Sequence, residues 1–335
     1  MKIKKDYSLL QHNTFGIDAK CSVFVEFTTA EETQETARQL KHPFLIIGGG
    51  SNLLLTRDYE GVVVRSAIRG LEVIEETSDS VLVRVGSGEN WDAMIARFIV
   101  NGWYGAENLS LIPGDVGASA VQNIGAYGSE VCNLIEKIEA VSIPDGELVI
   151  IDAEDCQYGY RQSRFKKEWK NRYLITHVQY RLSKTFTPII DYGNIKLELL
   201  KRHITTPTAA QLREVIVAIR KEKLPDPAIQ GNAGSFFMNP MVSREQFDQL
   251  LQRYPDMPHY HVSDAEEKIP AGWMIEQCGW KGKALGRAGV HDKQALVLVN
   301  RGGATGQEIV DLCSAIRKDV LERFGIEINP EVNII

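Results

Sequence analysis

Phe44-Leu45-Ile46-Ile47-Gly48-Gly49-Gly50-Ser51-Asn52 is a short apolar run that enters three glycines directly. The run has the length and composition of a buried strand, and Leu53-Leu54-Leu55 resumes it after the turn. A strand that ends in glycines exposes backbone N–H groups, which can cradle a phosphate. The order is not G-x-G-x-x-G, and no helical pattern follows, so a Rossmann reading is poor. Two readings stay open at this point: a pyrophosphate loop, or a plain tight turn between strands.

Working outward, a second stretch shares the small-residue texture. Asn108 to Glu130 carries Gly114, Gly117, Gly125 and Gly128 among Ala and Ser, with only Asp115 and Glu130 charged. Such a segment is ill suited to water. It reads as a long loop lining a groove for a large planar ligand, or as a buried glycine-rich helix-packing segment. Further on, Tyr158-Gly159-Tyr160-Arg161 sets an arginine among aromatics. It fits a fixed guanidinium facing an anion, or a surface arginine stacked on tyrosine.

The second half has its own unusual stretch, Gly231-Asn232-Ala233-Gly234-Ser235-Phe236-Phe237-Met238-Asn239-Pro240. Glycines beside Ser235 permit a turn that leaves its hydroxyl projecting, while the two phenylalanines anchor the turn. An ordinary turn has the same composition. The G-x-S-x-G nucleophile elbow is absent, so a proton donor is as reasonable as a nucleophile. Glu331, just after Pro330, reads as an exposed carboxylate or as an acid/base group in a pocket.

The remaining pattern is α+β. Helices are expected over about 30–40, 90–100, 208–221, 243–253, 271–278 and 305–324, several with capping-box spacing such as Thr208…Gln211 and Thr305…Glu308. Strands are expected at 22–27, 61–65, 71–75, 81–85, 134–142, 147–152, 173–182 and 294–300, with 326–335 as a closing strand. Residues 183–190 look like an interdomain link and 255–270 like a polar excursion. A length of 335 residues predicts two or three domains. The net charge of −6 argues against nucleic acid. No apolar run is long enough to span a membrane, and no signal-peptide pattern opens the chain. Five scattered cysteines without C-x-x-C predict neither disulfides nor zinc, and a reduced cytoplasm. His259 and His261 are the closest histidine pair, and no metal site is expected.

Taken together in order, Ile46 to Asn52, Leu111-Ile112-Pro113-Gly114, Gln122 to Gly128, Gly159-Tyr160-Arg161, Leu224-Pro225-Asp226-Pro227, Gly231 to Pro240, Ala271-Gly272-Trp273 and Pro330-Glu331-Val332 resemble the UDP-N-acetylenolpyruvoylglucosamine reductase family. The resemblance spans nearly the whole chain. Each motif alone is weak, and the ordered set is specific. It implies an FAD-binding domain of the PCMH/vanillyl-alcohol-oxidase type, with two subdomains at about 1–66 and 67–184. A C-terminal α+β substrate domain over 185–335 would follow, with the last strand a candidate to return to the flavin domain. It implies FAD and NADPH as cofactors, a monomer, and reduction of UDP-N-acetylglucosamine enolpyruvate to UDP-N-acetylmuramate. Hydride would pass from flavin N5 to C3 of the enolpyruvyl group.

By the same resemblance Ser235 would protonate C2, with Arg161 and Glu331 as partners. Flavin contacts would fall on Ile47, Gly48, Gly49, Gly50, Ser51, Asn52, Ile112, Pro113, Gly114, Gly117, Ala118, Ser119, Asn123, Gly125, Ala126 and Tyr127. Tyr192, Lys223, Asn239 and Gln294 would contact the nucleotide substrate or NADPH. Tyr192 with the long 183–207 segment resembles the type I form. Met238 and Asn333 depart from the family pattern, where basic residues are common, which bears on auxiliary charge near the substrate carboxylate. Two rivals are a PCMH-type oxidase of an alcohol or sugar and a non-catalytic nucleotide-binding protein. The flavin-tethering motif of the first is absent around His42, and the second has no need of a proton donor.

Overall fold

The computed structural model describes residues 1–335. The chain divides into two compact units. The first comprises Met1–Tyr7, Cys21–Gly49 and Tyr59–Glu222, and the second Ser8–Lys20, Gly50–Asp58 and Lys223–Ile335. Eight α-helices occur: α1 Ala30–Gln39, α2 Trp91–Val100, α3 Val116–Gln122, α4 Ile195–Lys201, α5 Ala209–Lys223, α6 Arg244–Arg253, α7 Ala271–Gln277 and α8 Gly306–Phe324.

The first unit contains two sheets. In one, Phe44–Ile47 pairs parallel with Tyr59–Ser66, which pairs parallel with Lys20–Phe27. Lys2–Ser8 forms its outer edge. The other is a five-stranded antiparallel sheet in the order Leu148–Asp152, Ile135–Ser142, Tyr173–Ser183, Ser80–Gly86, Leu71–Glu76. Alternation explains its sidedness, since successive strand residues face opposite ways. Val81, Val83 and Val85 enter one core with α2 and α3, around Trp91, Phe98 and the fully buried Tyr180. α2 buries Trp91, Met94, Ile95 and Phe98 on one face, with Asn90 as its cap. α1 packs in another core with Phe27, Phe44, Val64 and Leu174.

Residues 185–222, which the resemblance would place in the substrate domain, pack within the first unit. Phe186, Ile190 and Ile204 join α4 and α5 in a small core against Tyr127, so the expected link at 183–190 is a packed segment.

The second unit is built on the antiparallel order Asn232–Ser235, Val297–Asn300, Ala288–Val290, Ala284–Leu285. α7 and α8 pack together, and α8 buries Ile309, Leu312, Ile316 and Val320. Its capping box is complete: Thr305 Oγ1 accepts from Glu308 N and the Glu308 carboxylate accepts from Thr305 N. Three expectations differ. Residues 260–263 and 266–268 form a hairpin joined to Met241–Ser243, so the polar excursion is ordered sheet. Of the two readings of 108–130, the long loop gives way to the helix-packing segment: the stretch contains α3 and a small hairpin, Gly125–Ala126 with Ser129–Glu130. Small residues there let a helix approach its neighbours closely, with Val116 and Ala120 buried. The closing strand shrinks to Asn333–Ile334, paired parallel with Leu53–Leu54. Pro330 cannot donate to a ladder and makes only an isolated bridge with Phe237.

Candidate active site

In the first unit the glycine turn meets the 112–128 stretch. A Cβ on Gly48 would stand 3.0 Å from the Ala118 Cβ, and one on Gly49 would stand 3.2 Å from the Gly114 Cα. Side chains are therefore excluded from both loops by their mutual packing. Gly117 is similarly constrained, since its Cβ would meet the Ser87 Cβ at 2.9 Å. Gly117 N also donates to Ser87 O at 2.9 Å. Ser119 Oγ bonds Val116 O and the Tyr180 hydroxyl.

Where these loops meet, Asp115 Oδ2 and Arg65 Nε are buried without hydrogen-bond partners. They face one another across a long ion pair, Arg65 Nη2 to Asp115 Oδ2 at 3.6 Å. Burial pushes the Asp115 carboxyl above its ordinary range, although the Arg65 charge pulls it down. An unmet buried polar atom costs about 1–3 kcal/mol. A close-packed, glycine-rich cradle with a buried guanidinium N–H and a carboxylate oxygen left without hydrogen bonds fits a large polar cofactor, and FAD meets that description. Ile47 to Gly49, Ile112 to Ala118 and Asn123 to Tyr127 are the residues of this unit that would hold it. Arg65 is a residue the sequence reading missed. Its only signal was its place at the end of an expected strand; the structure sets it in register with Ile47.

Arg161 sits at the tip of a turn closed by reciprocal Gly159–Gln162 backbone bonds. Its own φ is +55°, a conformation that costs a residue with a Cβ about 1–2 kcal/mol. The guanidinium donates to Gly125 O and to Asn123 O, the latter at 3.4 Å. Asn123 is itself left-handed at the C-cap of α3, and its side-chain amide donates to Gly159 O at 2.9 Å. The Arg161 turn is thus clamped to the 123–125 segment by bonds running both ways.

A second arginine, Arg220 on α5, lies in the electrostatic neighbourhood of Tyr127, Asp92 and Arg161. Its Nε is buried without a partner. Burial pushes its pKa down, and desolvation likewise pushes the Tyr127 phenol up. The sequence reading passed over Arg220. Its spacing of three from Lys223 on one helix face was the available signal. Tyr192 is exposed, and its ring lies 3.4 Å from where a Cβ on Gly128 would be.

In the second unit the Ser235 turn has the expected form. Gly234 takes φ +69°. Ser235 is exposed, while Phe236 and Phe237 are fully buried. Phe236 N donates to Leu296 O at 2.7 Å, and Glu331 N donates to Phe236 O at 2.8 Å. Met238 N donates to Asn329 O at 2.9 Å. This ladder brings Ser235 and Glu331 onto neighbouring backbone segments although nearly a hundred residues separate them. Glu331 is half-buried. Its carbonyl accepts from Asn52 Nδ2 at 3.3 Å, and Asn333 N donates to Asn52 O at 3.1 Å. The C-terminal part of the glycine turn, Gly50 to Asn52, is therefore tied to the Glu331 segment. Gly50 has no alternative, because at φ +68° its Cβ would fall 1.9 Å from His12 O.

Asn239 Oδ1 accepts from Ala271 N at 2.9 Å, which leaves its amide nitrogen as the end to offer a ligand. Gln294 lies by Gly272, with Oε1 3.2 Å from the position of a Cβ there. Lys223, the last residue of α5, is exposed.

Residues 21–152 match the FAD binding domain model. Residues 226–335 match the C-terminal domain model of UDP-N-acetylenolpyruvoylglucosamine reductase. A UDP-N-acetylenolpyruvoylglucosamine reductase of Bacteroides fragilis is 53% identical over 335 residues, covering 99% of this chain and 100% of that protein. One from Burkholderia cenocepacia is 47% identical, covering 99% and 96%. Among solved structures, the reductase of that name from Thermus caldophilus aligns with a TM-score of 0.70 at 21% identity, covering 100% of this chain and 99% of that one. 4-Ethylphenol oxidase from Gulosibacter chungangensis aligns at 0.50 with 13% identity, covering 93% and 82%, a likeness of fold alone. No helix is long and apolar enough to cross a membrane. With cradle, polar turns and full-length identity in agreement, the chain belongs to the UDP-N-acetylenolpyruvoylglucosamine reductase family of FAD-binding oxidoreductases.

Proposed function

We propose that the chain reduces the enolpyruvyl ether of UDP-N-acetylglucosamine to UDP-N-acetylmuramate with NADPH as the electron source. The observation that carries this reading is the ladder that sets an exposed Ser235 hydroxyl beside the Glu331 segment. A flavin-binding protein that only bound nucleotides would need no such donor. FAD, when bound, supplies the hydride carrier between NADPH and C3 of the enolpyruvyl group.

The chain's own groups handle the proton and the charge. Ser235 Oγ donates a proton to C2 as negative charge develops there and on the adjoining carboxylate. A serine has no convenient pKa for this task, so it depends on neighbours. Glu331 orients the hydroxyl and the ether. Arg161 presents a planar fork to the enolic or carboxylate oxygens, in a geometry it already holds before charge appears. Arg220, with a buried and unmatched Nε, is a second donor for the carboxylate. Lys223 pairs with phosphate, Tyr192 covers the nucleotide, and Asn239 and Gln294 hydrogen-bond substrate or NADPH. Substrate recognition is assigned to 185–335 and flavin binding to 1–184, in a monomeric cytoplasmic enzyme.

The test is NADPH consumption by the purified, flavin-loaded protein, with and without the enolpyruvyl ether. Consumption that requires the ether and yields the lactyl ether is the expected result. Oxygen-dependent consumption without it points to another acceptor. No consumption at all removes the reductase reading.

A further inference from the structure

Asp92 lies in the first turn of α2, a helix whose sequence announces only a core face. Its carboxylate makes two connections that the reaction does not require. Oδ1 accepts from Leu111 N at 2.5 Å and from Arg213 Nη1 at 2.6 Å, and Oδ2 accepts from Arg213 Nη2 at 2.9 Å. One end of this bridge is the cofactor loop. Leu111 adopts φ +59° immediately before Ile112-Pro113-Gly114. A leucine holds such a conformation only where its surroundings over-determine it. The surroundings here are the start of α2. Trp91 Nε1 donates to Leu109 O at 3.1 Å and Trp91 N to Gly114 O at 3.0 Å, and Asn90 bridges Asp115.

The other end is α5. Arg213 and Arg220 lie two turns apart on one face of that helix, and Lys223 ends it. Asp92 is also among the charges felt by Arg220. Burial pushes the Asp92 carboxyl up, but hydrogen bonds from Arg213 and Leu111 outweigh it and hold it below the ordinary range. The group is a fixed carboxylate with both oxygens occupied.

We propose that Asp92 is a positioning residue that couples the 111–115 cofactor loop to the substrate-binding face of α5 through Arg213. The bidentate pair fixes the rotation of α5 about its axis, and with it the direction of Arg220. The N–H of Leu111 fixes the loop to the same carboxylate. A shift of either element is transmitted to the other because they share one acceptor. The proposal rests on the reductase reading for the roles of Arg220 and the loop.

The experiment compares wild type, Asp92→Asn, Arg213→Gln and the double variant as flavin-loaded enzyme. The amide introduced by Asp92→Asn keeps an acceptor for Leu111 N but cannot match the guanidinium fork. KM for the enolpyruvyl ether is expected to rise about 10-fold in each single variant, within the usual span of coupling between sites. kcat and the rate of flavin reduction by NADPH should change by less than about 3-fold on that scale. The double variant should add nothing further, since both singles break one connection. The shift in the flavin absorption spectrum on adding the ether should shrink in all three. A KM within about twofold of wild type in Asp92→Asn, below the span of coupling between sites, overturns the proposal. So does a lowered Tm with flavin loss at unchanged KM, which would make Asp92 a purely structural group. Should Asp92→Asn fail to fold, Arg213→Gln carries the same test. Wild type in the same assay separates the two failures: if it does not turn over the ether, the reductase reading falls first.

Discussion

Arg161 and Ser235 both stand on tight turns, and the two turns carry their strain differently. At the first turn the candidate residue itself is left-handed, with φ +55°. At the second the left-handed residue is Gly234, one position before the serine. Arg161 is held by polar bonds to the carbonyls of Asn123 and Gly125. The Ser235 turn is held by two buried phenylalanines and by backbone pairing. The long arginine side chain reaches the carbonyls of a distant segment, and those bonds help hold its turn at an unfavourable φ. A serine has no such reach, and its turn depends on a neighbouring glycine and an apolar anchor.

The contrast can be broken most severely at Ser235. Ser235→Ala should leave NADPH reduction of the flavin intact and slow the oxidative half-reaction by about 10²–10⁴, the usual worth of a positioned proton donor. Stopped-flow absorbance resolves the two halves. If both slow alike, the serine is not the donor. Next in size is Gly125→Ala. A Cβ there would stand 2.9 Å from Arg161 Nη1 and from Ser129 O. The guanidinium must leave its place, and a loss of roughly 10²-fold in kcat is expected for such a displacement, with FAD retained on gel filtration. Unchanged turnover would mean that the clamp on Arg161 is incidental.

Gly234→Ala sharpens the comparison from the other side. Nothing lies within 4 Å of a Cβ at Gly234, so only the backbone objects. The expected cost is about 1 kcal/mol, read as a fall in Tm of roughly 2–4 °C. A much larger fall would show that the apolar anchor does not hold the turn.

The smallest effect concerns Glu107, buried with Oε1 unpartnered and Oε2 accepting from Gly105 N. Burial raises its pKa above the ordinary glutamate range. A raised folded-state value means that its contribution is fully present below the unfolded pKa and is lost as pH rises through the folded one. Glu107→Gln should flatten that part of the Tm-versus-pH curve and leave the rest unchanged. A curve superimposable on wild type would mean that Glu107 does not titrate there.

Much of the site was legible in the residues, for a physical reason. At Gly48, Gly49, Gly50 and Gly117 a Cβ would crowd its neighbours, and Gly114 takes φ +120°; such requirements leave a compositional trace. The Ser235 turn was legible because its anchors are aromatic and its hinge is glycine. Less visible were α3, whose short apolar face is diluted by Gly117 and Ser119, and the hairpin at 260–268, whose strands are mostly polar. Arg65 and Arg220 left only faint signals, and Asp92 and Arg213 left none. Each is a common charged residue in an ordinary strand or helix, and its role exists only through a partner distant in the chain.

The sequence by itself determined the helices with caps and apolar stripes, the strand entering the glycine turn, and the ordered motif set that marks the family. These are local, because periodicity and turn chemistry act over a few residues. Tertiary structure alone decided that 185–222 packs with Tyr127 in the first unit, and that Glu331 meets the Ser235 turn through backbone bonds. It also decided that one aspartate accepts from both the 111–115 loop and α5. Such pairings depend on which distant surfaces bury one another, and no window along the chain contains that information.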